Sequence, residues 1–401
     1  EYLQPNSVRL LERMNAAFRK AASDPIRVDR LIDELQGSPA QRDVAVLQLR
    51  AGGALVVPQL VKRIRELNMP GQQELLQYVL VGLGKVVVPP LVAALENEDP
   101  NLRATVIQVL GRVGDRSIAA HLWYYAAADG QAPGVHVAAT EALARLVFGD
   151  VRRVDRLNRS TAIAELVRES ERHLSGHVTW KTNNDGKVRL WQYDSGSEKP
   201  LAEIAVAPNE ATLYFGSRFA QQAVTLSPRN RHAQALFLSL VLARARERAG
   251  WDQPLRHGAG SAHNLALLSG RDVLDEVLRT SMHHGNAAAA VSALEVMRES
   301  SGYHDLVSRT HLPSPLVGAL NYPDRRVQYS SAVVIAELDP PEMFRSSPRV
   351  VEILRSAIKS SHTAHVVVSG PNASVASNLA GLFNKIGFRS LLESTGRGAF
   401  K

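Results

Sequence analysis

The chain has 401 residues, 45% hydrophobic and 21% charged, a balance that suits a folded protein and excludes a disordered one. Its 47 lysines and arginines against 39 aspartates and glutamates leave a net charge of +8, a modest bias towards acidic partners spread over a long chain. Absence of cysteine excludes disulfides, thiolate metal sites and cysteine nucleophiles, and the length passes the roughly 250 to 300 residues that one core serves, so several domains or a repeat array are expected.

Helical periodicity begins early. Residues 41–50 and 56–67 read as two helices around Gly52 and Gly53, closed by Pro70 and Gly71. Residues 72–83 and 86–95 repeat the pattern across Gly84 and Lys85, ending at Asn97, Glu98, Asp99 and Pro100. In a third unit Leu102, Val106, Val109, Leu110 and Val113 recur at helical spacing, with Gly111, Gly114 and Asp115 before a second helix over 117–127. A fourth unit runs through Ala138, Ala142 and Leu146, giving a period of about 30 residues. One such hairpin cannot bury its apolar face alone, so stacking of neighbours must supply the core.

Asp99, Arg103, Leu110, Gly111, Gly114 and Asp115 together resemble the short bacterial version of the HEAT repeat, and a partial match returns at Asp324, Arg325, Arg326, Val327, Ala332, Val334, Ile335 and Leu338. The resemblance implies a mainly α protein, a HEAT-like α-solenoid of helical hairpins in two arrays, whose surface binds a macromolecular partner without catalysis. HEAT-built di-iron hydroxylases depend on paired His-Glu motifs, and no His-Glu dipeptide occurs in this chain. Second helices would line the concave face, where Trp123, Tyr124 and Tyr125 form the densest aromatic group and are candidate partner-binding residues. Arg152, Arg156 and Arg159 would share one helical face, either solvated or anion-binding.

Over residues 176–207 the period changes to alternation. Val178 and Trp180, then Val188 and Leu190, flank the turn signal Asn183, Asn184, Asp185 and Gly186, and residues 201–206 can add a third strand. In an alternating strand Lys187, Arg189, Trp191 and Tyr193 point one way, forming an exposed basic and aromatic strip of the kind that binds single-stranded nucleic acid. The competing expectation is that the aromatic side packs onto neighbouring helices, with burial of Trp191 deciding between them. Helices resume over 210–226 and 231–250, where Ala223, Leu226, Pro228, Asn230 and Ala233 resemble a join between tetratricopeptide units. After a linker at 254–260, a second helical array extends to residue 362.

Residues 365–369 read as a strand, 374–386 as a helix, 388–392 as a second strand and 395–401 as the start of a helix, an order that implies a parallel sheet. Val366, Val367, Val368, Leu382, Gly387, Phe388, Thr395, Gly396 and Ala399 resemble the first part of a response-regulator receiver domain, cut short by the end of the sequence. Ser369 and Gly370 stand where active receivers carry an acidic pair for magnesium, so a degenerate interaction module is expected. The expected domains are residues 1–175 and 208–362 as helical arrays, 176–207 as the β insert and 363–401 as the receiver-like segment.

Chemistry is sparse. His173 and His177, and the neighbours His283 and His284, lack the further ligands of a metal site, and Gly258, Gly260, Ser261 and His263 read as a flexible linker. No cofactor or metal is expected, and no enzymatic activity. The leading expectation is a scaffold for a protein partner; nucleic-acid binding through the hairpin and Arg-rich helices is the alternative, and an enzyme with a dispersed site comes third. The longest apolar stretches, 78–83 and 86–94, are too short for a membrane span. The chain starts at Glu1, so a soluble protein of the bacterial cytoplasm, or one exported after losing a signal, is expected.

Overall fold

Prolines start several helices of this chain, and glycines turn the chain between some of them. The computed structural model describes residues 3–67, 69–197, 199–306, 314–344, 346–359, 365–370 and 372–393. Its contacts divide the chain into two units, Glu1–Ser300 and Ser301–Lys401. Helix dominates, at 70% of the structure in 19 helices, as expected for a mainly α chain.

In the first unit, α1 (Leu3–Ala22) and α2 (Pro25–Glu34) lead into α3 (Pro39–Gly52), α4 (Val57–Glu66), α5 (Pro70–Gly82), α6 (Val88–Ala94), α7 (Pro100–Val113) and α8 (Ala119–Ala127), each joined to the next by a short turn. Next come α9 (Pro133–Phe148) and α10 (Arg159–Leu174). Pro39, Pro70, Pro100 and Pro133 occupy first turns, where the missing N–H costs nothing and the fixed φ suits a helix. The corners at Gly84 and Gly114 have φ of 71° and 77°, which a side chain would strain.

Links between helices recur at a constant offset. Gln59 donates to Asp29 at 2.7 Å, Arg63 pairs with Asp33 at 2.7 Å, Lys85 with Asp115 at 3.4 Å, and Tyr125 Oη donates to the Leu95 carbonyl at 3.0 Å. Arg159 pairs with Asp129 at the same spacing, so each link joins residues 30 apart in sequence. Helix α5 packs on α7 and α7 on α9, while α4 packs on α6 and α8 on α10. One apolar core runs through them, from Val28 to Ala233. At Gly111 a Cβ would sit 2.6 Å from that of Ala142, so α7 and α9 meet closely at that point.

Asp150 caps the 3-10 turn Val151–Arg156 and Asn158 separately caps α10, so the arginines expected on one face fall on two elements. Arg152 pairs with Asp150, while Arg159 donates to the Leu226 carbonyl.

The insert pairs differently from expectation. β1 (Val188–Tyr193) lies antiparallel to β2 (Leu201–Val206), with Val188 opposite Val206 and Tyr193 opposite Leu201. The turn at Asn183 forms, closed by the Asn183 N–H to the Lys187 carbonyl at 2.8 Å, yet Val178 and Trp180 are not in a strand. Trp180 is held elsewhere: its Nε1 donates to Thr212 Oγ1 at 2.8 Å and its ring stacks on Phe215 with centroids 5.6 Å apart.

The rest of this unit gathers around one helix. α11 (Pro208–Leu226), α12 (Arg231–Ala249), α13 (Ala262–Leu268), α14 (Arg271–His283) and α15 (Ala287–Ser300) follow in order. α12 contacts α10, α11, α13, α14 and α15. Leu236, Leu238, Leu240 and Leu242 are all buried, which places apolar residues around its whole circumference and suits a central helix. The expected linker is anchored: Leu255 is buried and its N–H donates to Glu295 at 2.7 Å.

The second unit contains α16 (Pro315–Ala319), α17 (Arg325–Glu337) and α18 (Ser347–Lys359), then β3 (His365–Ser369), α19 (Ala373–Lys385) and β4 (Arg389–Glu393). β3 and β4 are parallel, His365 opposite Arg389, with Val368, Ala376 and Ala380 forming a small core under α19. The helix expected after residue 395 lies outside the described residues.

Among the described residues one helical stretch, Pro39–Glu66, is long and apolar enough to cross a bilayer, and the sequence reading overlooked it. The pair Gly71–Gly82 and Gly84–Ala94 is so too if its 112° bend is taken as one span. The turn at Gly53 breaks the first stretch, and Leu49, Val57, Leu60 and Ile64 are buried in the core, as in a core helix of a folded domain.

Candidate functional site

The end of α6 and helices α7, α8, α11 and α12 assemble an open cavity of about 570 Å³. Helical spacing puts Tyr214, Arg218 and Gln222 on one face of α11, and Arg103, Arg244, Tyr124 and Tyr125 come from the surrounding helices. Three guanidinium groups line it against one carboxylate, Glu96, so the wall is cationic.

Glu96 organises the floor. Its Oε1 accepts from Tyr214 Oη at 2.8 Å and pairs with Arg218 at 2.9 Å. The Arg103 guanidinium lies 5.7 Å from the Tyr125 ring centre, and that of Arg244 lies 5.7 Å from the Tyr214 ring, within cation–π range. Arg103 Nε also donates to the Leu95 carbonyl at 3.1 Å, closing the end of α6. Glu210, outside the wall, holds Arg244 at 2.8 Å and Arg248 at 2.6 Å; burial opposes its charge, but those two hydrogen bonds keep its carboxyl below the ordinary range.

Burial, reinforced by Glu96, pushes the Tyr214 phenol up to about 12, and burial raises Tyr125 as well. Both therefore act as neutral hydroxyl groups near pH 7. Gln222 lines the wall, and its Oε1 is buried with no hydrogen-bond partner among the described residues. The chemistry of such a wall suits an anionic group.

Of the sequence candidates, Tyr124 and Tyr125 line this cavity, while Trp123 turns away, buried, into a second cavity of about 420 Å³ with Asp129, His136 and Arg159. The expected strip on the insert does not form. Trp191 is only 7% exposed and belongs to the main core, because α6 and α11 cover β1. Tyr193 accepts a hydrogen bond from the buried Asn97 side chain, and Arg189 pairs with Glu203 at 3.2 Å. Lys187 remains exposed, but with Trp191 in the core there is no stacking platform beside it.

His173 and His121 are uncharged near pH 7. His173 is 4% exposed, its Nδ1 is 2.9 Å from the Thr212 carbonyl, and burial lowers its pKa to about 4. A carbonyl accepts only, so Nδ1 carries the proton. His121, against Phe215 and Phe219, is lowered to about 3 by the same cause. The sequence reading missed Glu96, Arg103, Tyr214, Arg218, Gln222 and Arg244 as one site, and missed a separate meeting of His257, His263 and Glu299. Comparison with protein-family models and with curated proteins gives no match.

Proposed function

We propose that the first unit is a non-catalytic docking module, a HEAT-like solenoid that takes an acidic segment of a partner protein into the Arg103–Arg218–Arg244 cavity. The observation that carries this reading is the convergence of three arginines and three tyrosines against a single carboxylate. Arginine forks bind carboxylates in pairs, and tyrosines give contact area at low entropic cost. The solenoid part of the reading draws on the links between helices at a constant offset of 30 residues and on the match of Asp99, Arg103, Gly111 and Gly114 to the HEAT pattern.

A fluorescein-labelled hexaglutamate peptide tests it by anisotropy, with hexalysine and a thymidine oligonucleotide as competitors. Hexaglutamate binding should weaken with salt and fall about tenfold in Arg218→Gln, a loss of about 1.4 kcal/mol. Circular dichroism confirms that the variant is folded. Absent binding, or binding indifferent to Arg218→Gln, sinks the proposal, and preferential displacement by the oligonucleotide shifts the assignment to nucleic acid.

A further inference from the structure

Outside that cavity, one cluster joins a loop to two helices. Gly258 and Gly260, at φ of 99° and 77°, turn the chain back so that His257 lies against His263, the second residue of α13, with ring centroids 4.0 Å apart. Glu299, in the last turn of α15, completes the group: its Oε1 is 3.2 Å from His263 Nε2 and 3.7 Å from His257 Nδ1. The ligand atoms of all three lie within 4.8 Å of one another.

Two features set this apart from a chance meeting of polar side chains. First, His263 is 2% exposed, and its Nε2 is buried without a hydrogen-bond partner among the described residues. At 3.2 Å the Glu299 oxygen is close to it, yet the pair does not form a hydrogen bond. Secondly, the two spacings to Glu299 fit a metal. Bonds of roughly 2.0 to 2.1 Å from tetrahedral zinc to nitrogen and oxygen separate neighbouring ligand atoms by about 3.4 Å, between the observed 3.2 and 3.7 Å.

The loop bearing His257 is also built to stay put. Arg246, 2% exposed on α12, pairs with Glu295 and donates to the Gln253 carbonyl at 2.6 Å, and Glu295 holds the Leu255 N–H. Ser261 donates to the Gly258 carbonyl at 2.7 Å and accepts from the Asn264 N–H at 3.1 Å, fixing the start of α13.

We infer that His257, His263 and Glu299 form a binding site for a divalent transition cation, zinc being the best fit, that clamps the loop of residues 254–260 to α13 and α15. Two imidazoles and one carboxylate are the borderline ligands that zinc accepts and magnesium does not favour. His257 and Glu299 are half exposed, at 55% and 46% of their side chains, so a fourth ligand enters from water. The cation gives the buried Nε2 the partner it lacks, and the Glu299 charge offsets part of its own.

The test uses the full chain, stripped with chelator and titrated with zinc chloride by calorimetry, with melting followed in parallel. Wild type should bind one equivalent and melt at a higher temperature with zinc than with chelator, whereas magnesium should do neither. His257→Ala, at an exposed position, and Glu299→Gln should weaken zinc binding more than tenfold and abolish the thermal shift. Their melting in chelator should match wild type, which separates loss of the site from loss of the fold. His232→Ala, beside Glu171 at 2.7 Å in the other histidine-rich region, should bind as wild type does. No stoichiometric binding by wild type, or binding kept by His257→Ala and Glu299→Gln but lost in His232→Ala, overturns the inference.

Discussion

Individual side chains close this chain's helices in a repeated way. Four residues after the N-cap, Arg42, Gln73, Arg103, Gln234 and Gln328 each donate to a carbonyl at or just beyond the end of the preceding helix: Leu35, Leu67, Leu95, Pro228 and Tyr322. Those carbonyls lack partners within their own helices, so a donor at this position welds consecutive helices together. Arg103 belongs to the recognised pattern, but glutamine does the same work at three positions, which hides the device from any reading that looks for arginine. Buried histidines give the residue scale its testable consequence. His173 has a folded pKa of about 4 against an ordinary 6.5, because burial disfavours its charged form. The unfolded chain then binds the proton more tightly, so stability is complete above pH 6.5 and is lost as pH falls towards about 4. Urea titrations at pH 7 and pH 5 should show wild type losing about 2 kcal/mol more than His173→Phe between the two, at about 1.4 kcal/mol per pH unit below the unfolded pKa. Equal losses would show that His173 is not buried in its neutral form.

At the scale of elements, close helix contacts decide signs that local propensity gets wrong. Alanine usually replaces glycine inside a helix with a gain of about 1 kcal/mol. At Gly111 the new methyl would lie 2.6 Å from Ala142 Cβ and 2.9 Å from its Cα, and backbone cannot step aside as a flexible side chain can. Overpacking of this kind costs about 1 to 3 kcal/mol, so Gly111→Ala should destabilise in chemical denaturation. Gly381→Ala in α19, where nothing lies within 4 Å, should not. This contrast also marks what the sequence could disclose. Helices and their corners were legible, since prolines, glycines and apolar spacing act within a few residues. Pairing of β1 was misread because Val188 and Val178 look alike locally, while Trp180 is claimed by Thr212 and Phe215 on α11. The cavity was invisible because Glu96 and Tyr214, which share a hydrogen bond, are 118 residues apart. Glu299 likewise stands far from His257 along the chain, in a region that composition alone marks as a linker.

At the scale of the first unit, the question is whether its helices unfold in separate groups. In a nearest-neighbour array, segments can melt separately, and distant reporters then give different midpoints. Here three helices tie the ends together. α10 contributes Ala162 and Leu166 to the core that begins at Val28, and Leu174 to a second cluster with Leu240 and Ala289. α11 divides in the same way between Phe219 and Leu213, and α12 between Ala233 and Leu236. Opening either cluster strips apolar surface from helices that the other needs. Trp123, within the main core, and Trp251, just past α12, report on the two ends. Variants keeping only one of these tryptophans should therefore melt at one midpoint by fluorescence. Leu110 is fully buried, so Leu110→Ala should cost about 2 to 5 kcal/mol and lower both midpoints together. If Leu110→Ala moved the Trp123 transition and left that of Trp251 in place, the two clusters would be energetically separate, and the shared helices would transmit nothing between them.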